Sequence, residues 1–329
     1  MKVVVVGCGA VGSFYGARLW RAGHEVLFLP RSDRDVVRRD GVRIESAEGS
    51  FTARPLCADS PGEIGLAELV LVAVKTTANH ALPGLVGPLV GAETAVLTLQ
   101  NGLGNEEALI PAARPDQILG GLCFVCLNRS APGVVRHVAH GKIDLGEHSG
   151  APRARTRAIA AMFQEAGVEC GVRENLARAR WEKLVWNIPF NGLSVGSAAG
   201  AAALDGAGFA GAELEPCRTT DLLIGDAGWL ERVRGLMGEV VAGANAQGLG
   251  IDAGFGEKLI GMTRVMGAYH PSTLLDFLEK RPLELEAIFR EPLRRAESAG
   301  MELPRLARLC RALEGLDGHA GNRRAAVSP

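Results

Sequence analysis

Lys183, Asn187 and Asn191 recur at every fourth residue in the run WEKLVWNIPFN, a spacing that puts them on one face of a helix. Two tryptophans, a phenylalanine and several aliphatic residues surround them. An ammonium and two amides in such a setting need hydrogen-bond partners, or they face a cleft whose ligand supplies them. A lysine in its ordinary range, about 10.4, is an ammonium at neutral pH, so it can donate a proton and stabilise a developing oxyanion. The amides suit a carboxylate or a hydroxyl. An ordinary exposed polar stripe has the same spacing, so periodicity alone leaves both readings open. Only six of the 36 basic residues are lysines (Lys2, Lys75, Lys142, Lys183, Lys258 and Lys280), so a lysine inside an apolar run is informative. Pro189 is expected to kink this helix, because it removes the hydrogen bond to Val185.

A second constellation opens the chain. Gly7-Cys8-Gly9-Ala10-Val11-Gly12 fits G-x-G-x-x-G, follows a short apolar strand and opens an amphipathic helix over 11–22. That context points to dinucleotide binding. Gly7 permits the tight turn, Gly9 lets the backbone approach a pyrophosphate, and Gly12 lets the helix pack on its strand with its amides toward the anion. The second strand ends at Phe28-Leu29-Pro30-Arg31-Ser32, with Arg34 close behind. A guanidinium and a hydroxyl there suit a 2′-phosphate, so NADPH/NADP+ is the expected cofactor, with Asp33 as the residue that a loop shift would bring to a ribose. Two further strand ends carry polar residues, Val74-Lys75-Thr76 and Leu99-Gln100-Asn101-Gly102. Lys75 reads as a ligand contact or a solvated loop lysine, and Asn101-Gly102 as a contact or a simple turn.

The elements that must position these residues fall into two kinds. Strands are expected at 2–6, 25–29, 69–74, 95–99 and 121–126, each apolar on both faces and separated by helices, the mark of a parallel sheet covered on both sides. The stretch 134–145 alternates about Gly141 and reads as a hairpin closing the sheet's edge. After Gly171 helical patterns dominate, at 175–194, 213–224, 230–247, 256–266, 283–299 and 304–313. The fold class is α/β: an N-terminal Rossmann-type doubly wound sheet, residues 1–170, followed by an all-helical domain, 171–315, and a flexible tail, 316–329.

Composition excludes several classes. The hydrophobic fraction is 47% and the net charge −1, which gives no reason to expect nucleic acid or an acidic membrane as partner. Seven cysteines form no framework, which suits a reducing, cytoplasmic compartment. The opening MKVVVVGCGA resembles a signal peptide only superficially, since glycines break its apolar run, and no apolar run of about 20 residues is present. Cys123 and Cys126 lie three apart on a strand, so their thiols are expected to diverge, and no second pair completes a zinc site. His137 and His140 have the same parity problem. Residues 164–167 and 246–250 read as helix ends.

The set GCGAVG, LVAVKT, LQNGLGN and WEKLVWNIPFN, followed by S-x₁₁-E at Ser272 and Glu284, resembles the ketopantoate reductase (2-dehydropantoate 2-reductase) family, in order and over nearly the whole chain. The glycine motif is widely shared; the K-x₃-N-x₃-N helix followed about ninety residues later by S-x₁₁-E is far more specific. The resemblance implies that Lys183 is the general acid and that Glu284 helps to hold the substrate. It implies that Asn187, Asn191 and Ser272 contact substrate, that Asn101 and Lys75 lie near the nicotinamide and substrate, and that Arg31 contacts the 2′-phosphate. Hydride delivery to a ketone leaves an alkoxide that an ammonium can protonate. Glu284 suits the substrate hydroxyl or the orientation of Lys183; in Pro282-Leu283-Glu284 it also reads as an ordinary helix first turn.

The reading is therefore NADPH-dependent reduction of ketopantoate to pantoate in pantothenate biosynthesis, with a small 2-oxo acid as partner and metal not involved. The alternatives are a paralogue reducing another 2-oxo acid, and a non-catalytic NADPH-binding sensor, which the presence of Lys183 and Glu284 disfavours. A homodimer and a monomer are equally consistent with the sequence.

Overall fold

The computed structural model describes residues 1–30, 32–207 and 214–325. The chain divides into two compact units, Met1–Leu176 and Ala177–Pro329.

The first unit is built on β1 (Lys2–Val6), whose four consecutive valines alternate between two cores. Val3 and Val5 face one core, with Phe14, Tyr15 and Phe163. Val4 and Val6 face the other, with Leu82, Val86 and Leu89. A strand buried on both faces needs apolar residues at every position, which is why this segment has no polar alternation. From β1 the chain passes through α1 (Ala10–Arg21) to β2 (Glu25–Leu29), α2 (Arg34–Asp40), β3 (Val42–Ser46), β4 (Phe51–Ala53) and β5 (Leu56–Cys57). Next come β6 (Leu69–Val72), α3 (Leu82–Val86), β7 (Ala95–Thr98), β8 (Ile118–Ala131) and β9 (Val134–Glu147). The unit closes with α4 (Ala154–Glu165) and β10 (Cys170–Val172). The ten strands form one mixed sheet in the order β4-β3-β9-β8-β7-β6-β1-β2-β5, with β10 also on β9. From β8 to β5 every pairing is parallel. β2 lies on one side of β1 and β6 on the other, so the strand order reverses at β1.

The hairpin differs from expectation. Residues 134–145 belong to one strand, β9, and its partner is β8, with the turn at Pro132-Gly133 (Gly133 φ 70°). Gly141 is a bulge: Phe124 pairs with Lys142 and Val125 with His140, which leaves Gly141 (φ 138°) unmatched. Glycine inside a strand pattern marks a turn or a bulge, and alternation alone does not separate them. β9 is also interior to the sheet, because β3 and β10 share its far edge. The strand expected at 121–126 runs over 118–131, and its second half is largely exposed rather than apolar on both faces.

The second unit is helical: α5 (Leu176–Gly196), α6 (Thr220–Gly225), α7 (Ala227–Ala246), α8 (Phe255–Thr263), α9 (Ser272–Leu278), α10 (Glu291–Ser298) and α11 (Pro304–Ala325). A π turn, Glu286–Arg290, leads into α10. Close packing relies on small residues. A side chain at Gly192 of α5 would stand 2.5 Å from Leu309 of α11 and 2.9 Å from Phe289. The helix expected from residue 213 begins only at Thr220; 214–219 are extended or irregular, and 208–213 lie outside the described residues. Pro216 interrupts the expected helix, because it disfavours helical backbone at Glu215 before it. The helix expected to end at Leu313 continues through Leu316, which is fully buried.

Replacing Leu316 with alanine should therefore cost about 2–5 kcal/mol of stability, as for other buried leucines. Chemical denaturation checks this, and an unchanged midpoint would show that the residues beyond 313 do not pack.

Candidate active site

At the reversal point of the sheet, the loops after β1 and β6 touch. Gly7 has φ 96°, and a Cβ there would lie 2.5 Å from the Val74 amide nitrogen. A Cβ at Gly12 would lie 2.1 Å from the Gly7 carbonyl oxygen. A Cβ at Gly9, by contrast, meets nothing within 4 Å. Gly7 and Gly12 are thus fixed by the protein's own packing, while the space at Gly9 is open. Gly9 is the N-cap of α1 and no side chain caps that end, so the amides of Ala10, Val11 and Gly12 remain directed at that opening, as a pyrophosphate requires. The cradle fits a dinucleotide. Cys8 within it is half-buried; desolvation, with Cys57 next in importance, pushes its thiol well up, so no thiolate competes with an anion there.

Lys75 and Asn101 occupy neighbouring positions on the same carboxyl edge, beyond β6 and β7. Lys75 is exposed and Asn101 half-buried. Beneath them runs an amide network that the sequence reading missed. Buried Gln100 donates through Nε2 to the Val74 carbonyl at 3.0 Å and to Asn79 Oδ1 at 2.7 Å. Asn79 donates to Asn105 Oδ1 at 3.2 Å, and Asn105 donates to the Asn101 carbonyl at 2.9 Å. The backbones that carry Lys75 and Asn101 are therefore tied by side chains. The available signal was amide density, Asn79, Gln100, Asn101 and Asn105, beside two strand ends.

At the end of β2, Arg31 lies outside the described residues. Ser32 is exposed, and Arg34 pairs with Asp59 at 3.1 Å. Asp33 is only 7% exposed. Its carboxylate accepts from the Arg129 guanidinium and from the Gly133 amide at 3.1 Å, both belonging to the β8–β9 hairpin.

In the helical unit, α5 carries Lys183, half-buried, with Asn187 and Asn191 buried, on successive turns. Trp186, interleaved with them, is held in place. Its Nε1 donates to Thr263 Oγ1 at 2.9 Å, and its ring lies 4.9 Å from Phe190 and 6.2 Å from Tyr269. Asn191 Oδ1 accepts from the Thr273 amide at 3.0 Å and from Ser272 Oγ at 3.3 Å. α9 starts at Ser272 behind Pro271, which offers no side-chain cap, so Asn191 supplies that cap from another helix. With its oxygen so engaged, Asn191 would meet a ligand as a donor. Glu284 is 6% exposed and stands just before the π turn. Asn191 and Ser272, far apart in sequence, are thus brought together.

The other polar signals have structural partners. His137 Nδ1 is 2.9 Å from Ser46 Oγ and Nε2 is 2.7 Å from the His140 carbonyl, so Nε2 carries the donated hydrogen. The ring also packs on Phe14, 4.7 Å between centroids. Among the described residues no disulfide joins Cys123, Cys126 or any other cysteine. Among the described residues no group of His, Cys, Asp and Glu is placed to hold a metal, and no helix is long and apolar enough to cross a membrane.

Residues 3–150 match the family described as ketopantoate reductase PanE/ApbA, and residues 214–317 its C-terminal counterpart. The chain is 39% identical over 323 residues to a 2-dehydropantoate 2-reductase of a Nostoc species, covering 96% of this chain and 95% of the relative. It is 43% identical to the crystal structure of 2-dehydropantoate 2-reductase from Geobacter metallireducens, with a TM-score of 0.86 over 95% of this chain and 99% of the other. The same fold occurs in a D-mandelate dehydrogenase solved with NADH and anilino(oxo)acetate; identity is 19% and TM-score 0.84, covering 98% of this chain and 100% of the other.

Two tests arise from the geometry. Gly9→Ala should leave the melting temperature near that of the wild type while weakening dinucleotide binding, whereas Gly7→Ala should lower the melting temperature itself. Equal effects in thermal melts would contradict the distinction between open and packed glycines. Asn191→Ala should cost about 0.5–2 kcal/mol, the usual loss of a helix cap, and Asn191→Asp, which keeps the acceptor, should recover most of it in denaturant titrations.

Proposed function

The chain belongs to the ketopantoate reductase family and is an oxidoreductase; from that premise we propose that it reduces 2-dehydropantoate (ketopantoate) to pantoate with NADPH, as a step of pantothenate biosynthesis. The observation that carries the reading is the stripe of Lys183, Asn187 and Asn191 on a helix whose neighbouring positions bury Trp181, Leu184, Val185, Ile188 and Phe190. Its spacing, with Ser272 brought to Asn191, is the arrangement expected of a small carboxylate-bearing substrate.

Bound NADPH supplies a hydride to the C2 ketone. The chain's own residues then have separate tasks. Gly7 to Gly12 and the start of α1 hold the pyrophosphate by backbone amides. Arg31, with Ser32, takes the 2′-phosphate, a role supported by the way Asp33 is tied to Arg129 and Gly133 instead of standing toward a ribose. Lys75 and Asn101 hold the nicotinamide end and the substrate, on backbones fixed by the Gln100–Asn79–Asn105 network. Lys183 stabilises the developing alkoxide and donates its proton to the oxygen. Asn187, Asn191 and Ser272 hydrogen-bond the substrate's carboxylate and hydroxyl, and Glu284 accepts from a substrate hydroxyl or orients Lys183.

Oxidation of NADPH, followed with ketopantoate, pyruvate, 2-oxoisovalerate and 2-oxoglutarate in parallel and with NADH as control, tests substrate and cofactor together. Selective turnover of ketopantoate with NADPH is the expected outcome; turnover of another 2-oxo acid alone would make the chain a paralogue with the same chemistry. Lys183→Ala should lower kcat roughly a hundredfold to ten-thousandfold, with the dissociation constant for NADPH unchanged. Normal turnover in that variant would remove Lys183 as the acid.

A further inference from the structure

In a glycine-motif domain, an acidic residue about 20 positions beyond the third glycine grips the ribose 2′-hydroxyl of NAD. Asp33 is this chain's candidate: it follows Gly12 by 21 positions and stands just after β2. Its carboxylate is nonetheless committed elsewhere. It is 7% exposed, paired with the Arg129 guanidinium, and accepts the Gly133 amide at 3.1 Å. Arg129 comes from β8, nearly 100 residues away, and its Nη1 stands 3.5 Å from Ser32 Oγ. Among the described residues near the β2 exit, Arg34 and Arg38 are tied to a different acid: both pair with Asp59, at 3.1 and 2.8 Å.

We infer that Arg129 is a specificity-determining residue for the cofactor, because it withholds Asp33 from the ribose and sets a positive charge beside Ser32. The inference rests on the NADPH reading above. Its physics is electrostatic and local. A 2′-phosphate carries close to two negative charges at neutral pH, and an unpaired carboxylate beside it would repel it. A carboxylate neutralised by a guanidinium does not, and the guanidinium offers a planar set of donors that suits phosphate. The hairpin therefore takes part in cofactor choice although no glycine-motif rule points to it. The Gly133 amide bond keeps Asp33 at the hairpin tip, so the arrangement depends on the Pro132-Gly133 turn as well as on the ion pair.

The test is the ratio of dissociation constants for NADH and NADPH, measured by quenching of tryptophan fluorescence on the full chain, with adenosine 2′,5′-bisphosphate as a probe of the phosphorylated adenosine half without the nicotinamide. Arg129→Ala should lower the ratio about tenfold, mainly by weakening NADPH and the bisphosphate, with NADH held or strengthened. Arg129→Lys should keep the ratio within about threefold. Adding Asp33→Asn to Arg129→Ala should restore most of the lost NADPH affinity, since the repelling charge is gone. A ratio that Arg129→Ala leaves within twofold of the wild type overturns the role of Arg129, and so does a double variant no better than the single one. If Arg129→Ala does not fold, Asp33→Asn in the wild-type background decides: the ratio should hold or rise, and a fall would overturn the inference. A wild type that itself binds NADH more tightly than NADPH overturns the NADPH reading instead.

Discussion

The approach of the β1 and β6 loops at Gly7 is the constraint from which the first unit's site is built. A parallel sheet delivers every strand's carboxyl end to the same edge, and where the order reverses the two loops diverge and leave a crevice. Here they diverge around a contact so short that a single methyl group would collide with the Val74 backbone. The same contact places Lys75, next in sequence to Val74, within the loop that flanks the glycine turn. The four valines of β1, buried on both faces, hold the turn from below. The Gln100 network holds the adjoining loops from the side.

The second unit solves a different problem. Its helices pack closely through apolar faces, so each polar side chain inside must be satisfied or must serve a ligand. Asn191 is satisfied through its oxygen, which caps α9 where Pro271 cannot. One residue thereby couples the position of Ser272 to that of α5. A buried residue that ties two helices together is costly to change, because its substitution disturbs both partners at once.

The hairpin of β8 and β9 shows how an element outside the glycine motif reaches its surroundings. It is long enough to pair with β3 and β10 on one strand and with β7 on the other. Its bulge at Gly141 is served by His137, whose ring bridges Ser46 and the His140 carbonyl. Its tip anchors Asp33. His137 and His140, whose spacing on the strand spoke against a metal site, are thus part of the device that bends and closes the strand pair.

Local pattern was enough for much of this. The glycine motif after an apolar strand, the i, i+4, i+8 stripe of α5 and the change from strand to helix pattern all depend on neighbours within a few residues, where backbone period and side-chain direction are set. The family resemblance rested on the same short runs. What needed tertiary structure was whatever depends on partners distant in sequence. Gly141 as a bulge rather than a turn depends on β8 opposite it. The capture of Asp33 by Arg129 and Gly133 depends on a hairpin some 100 residues away. The cap of α9 by Asn191 and the burial of Leu316 depend on helices brought together only in the folded unit. Sequence determines which groups exist and which face they share; the hydrogen-bond partner each one takes is decided by packing, because a buried polar group pairs with whatever the fold places within reach.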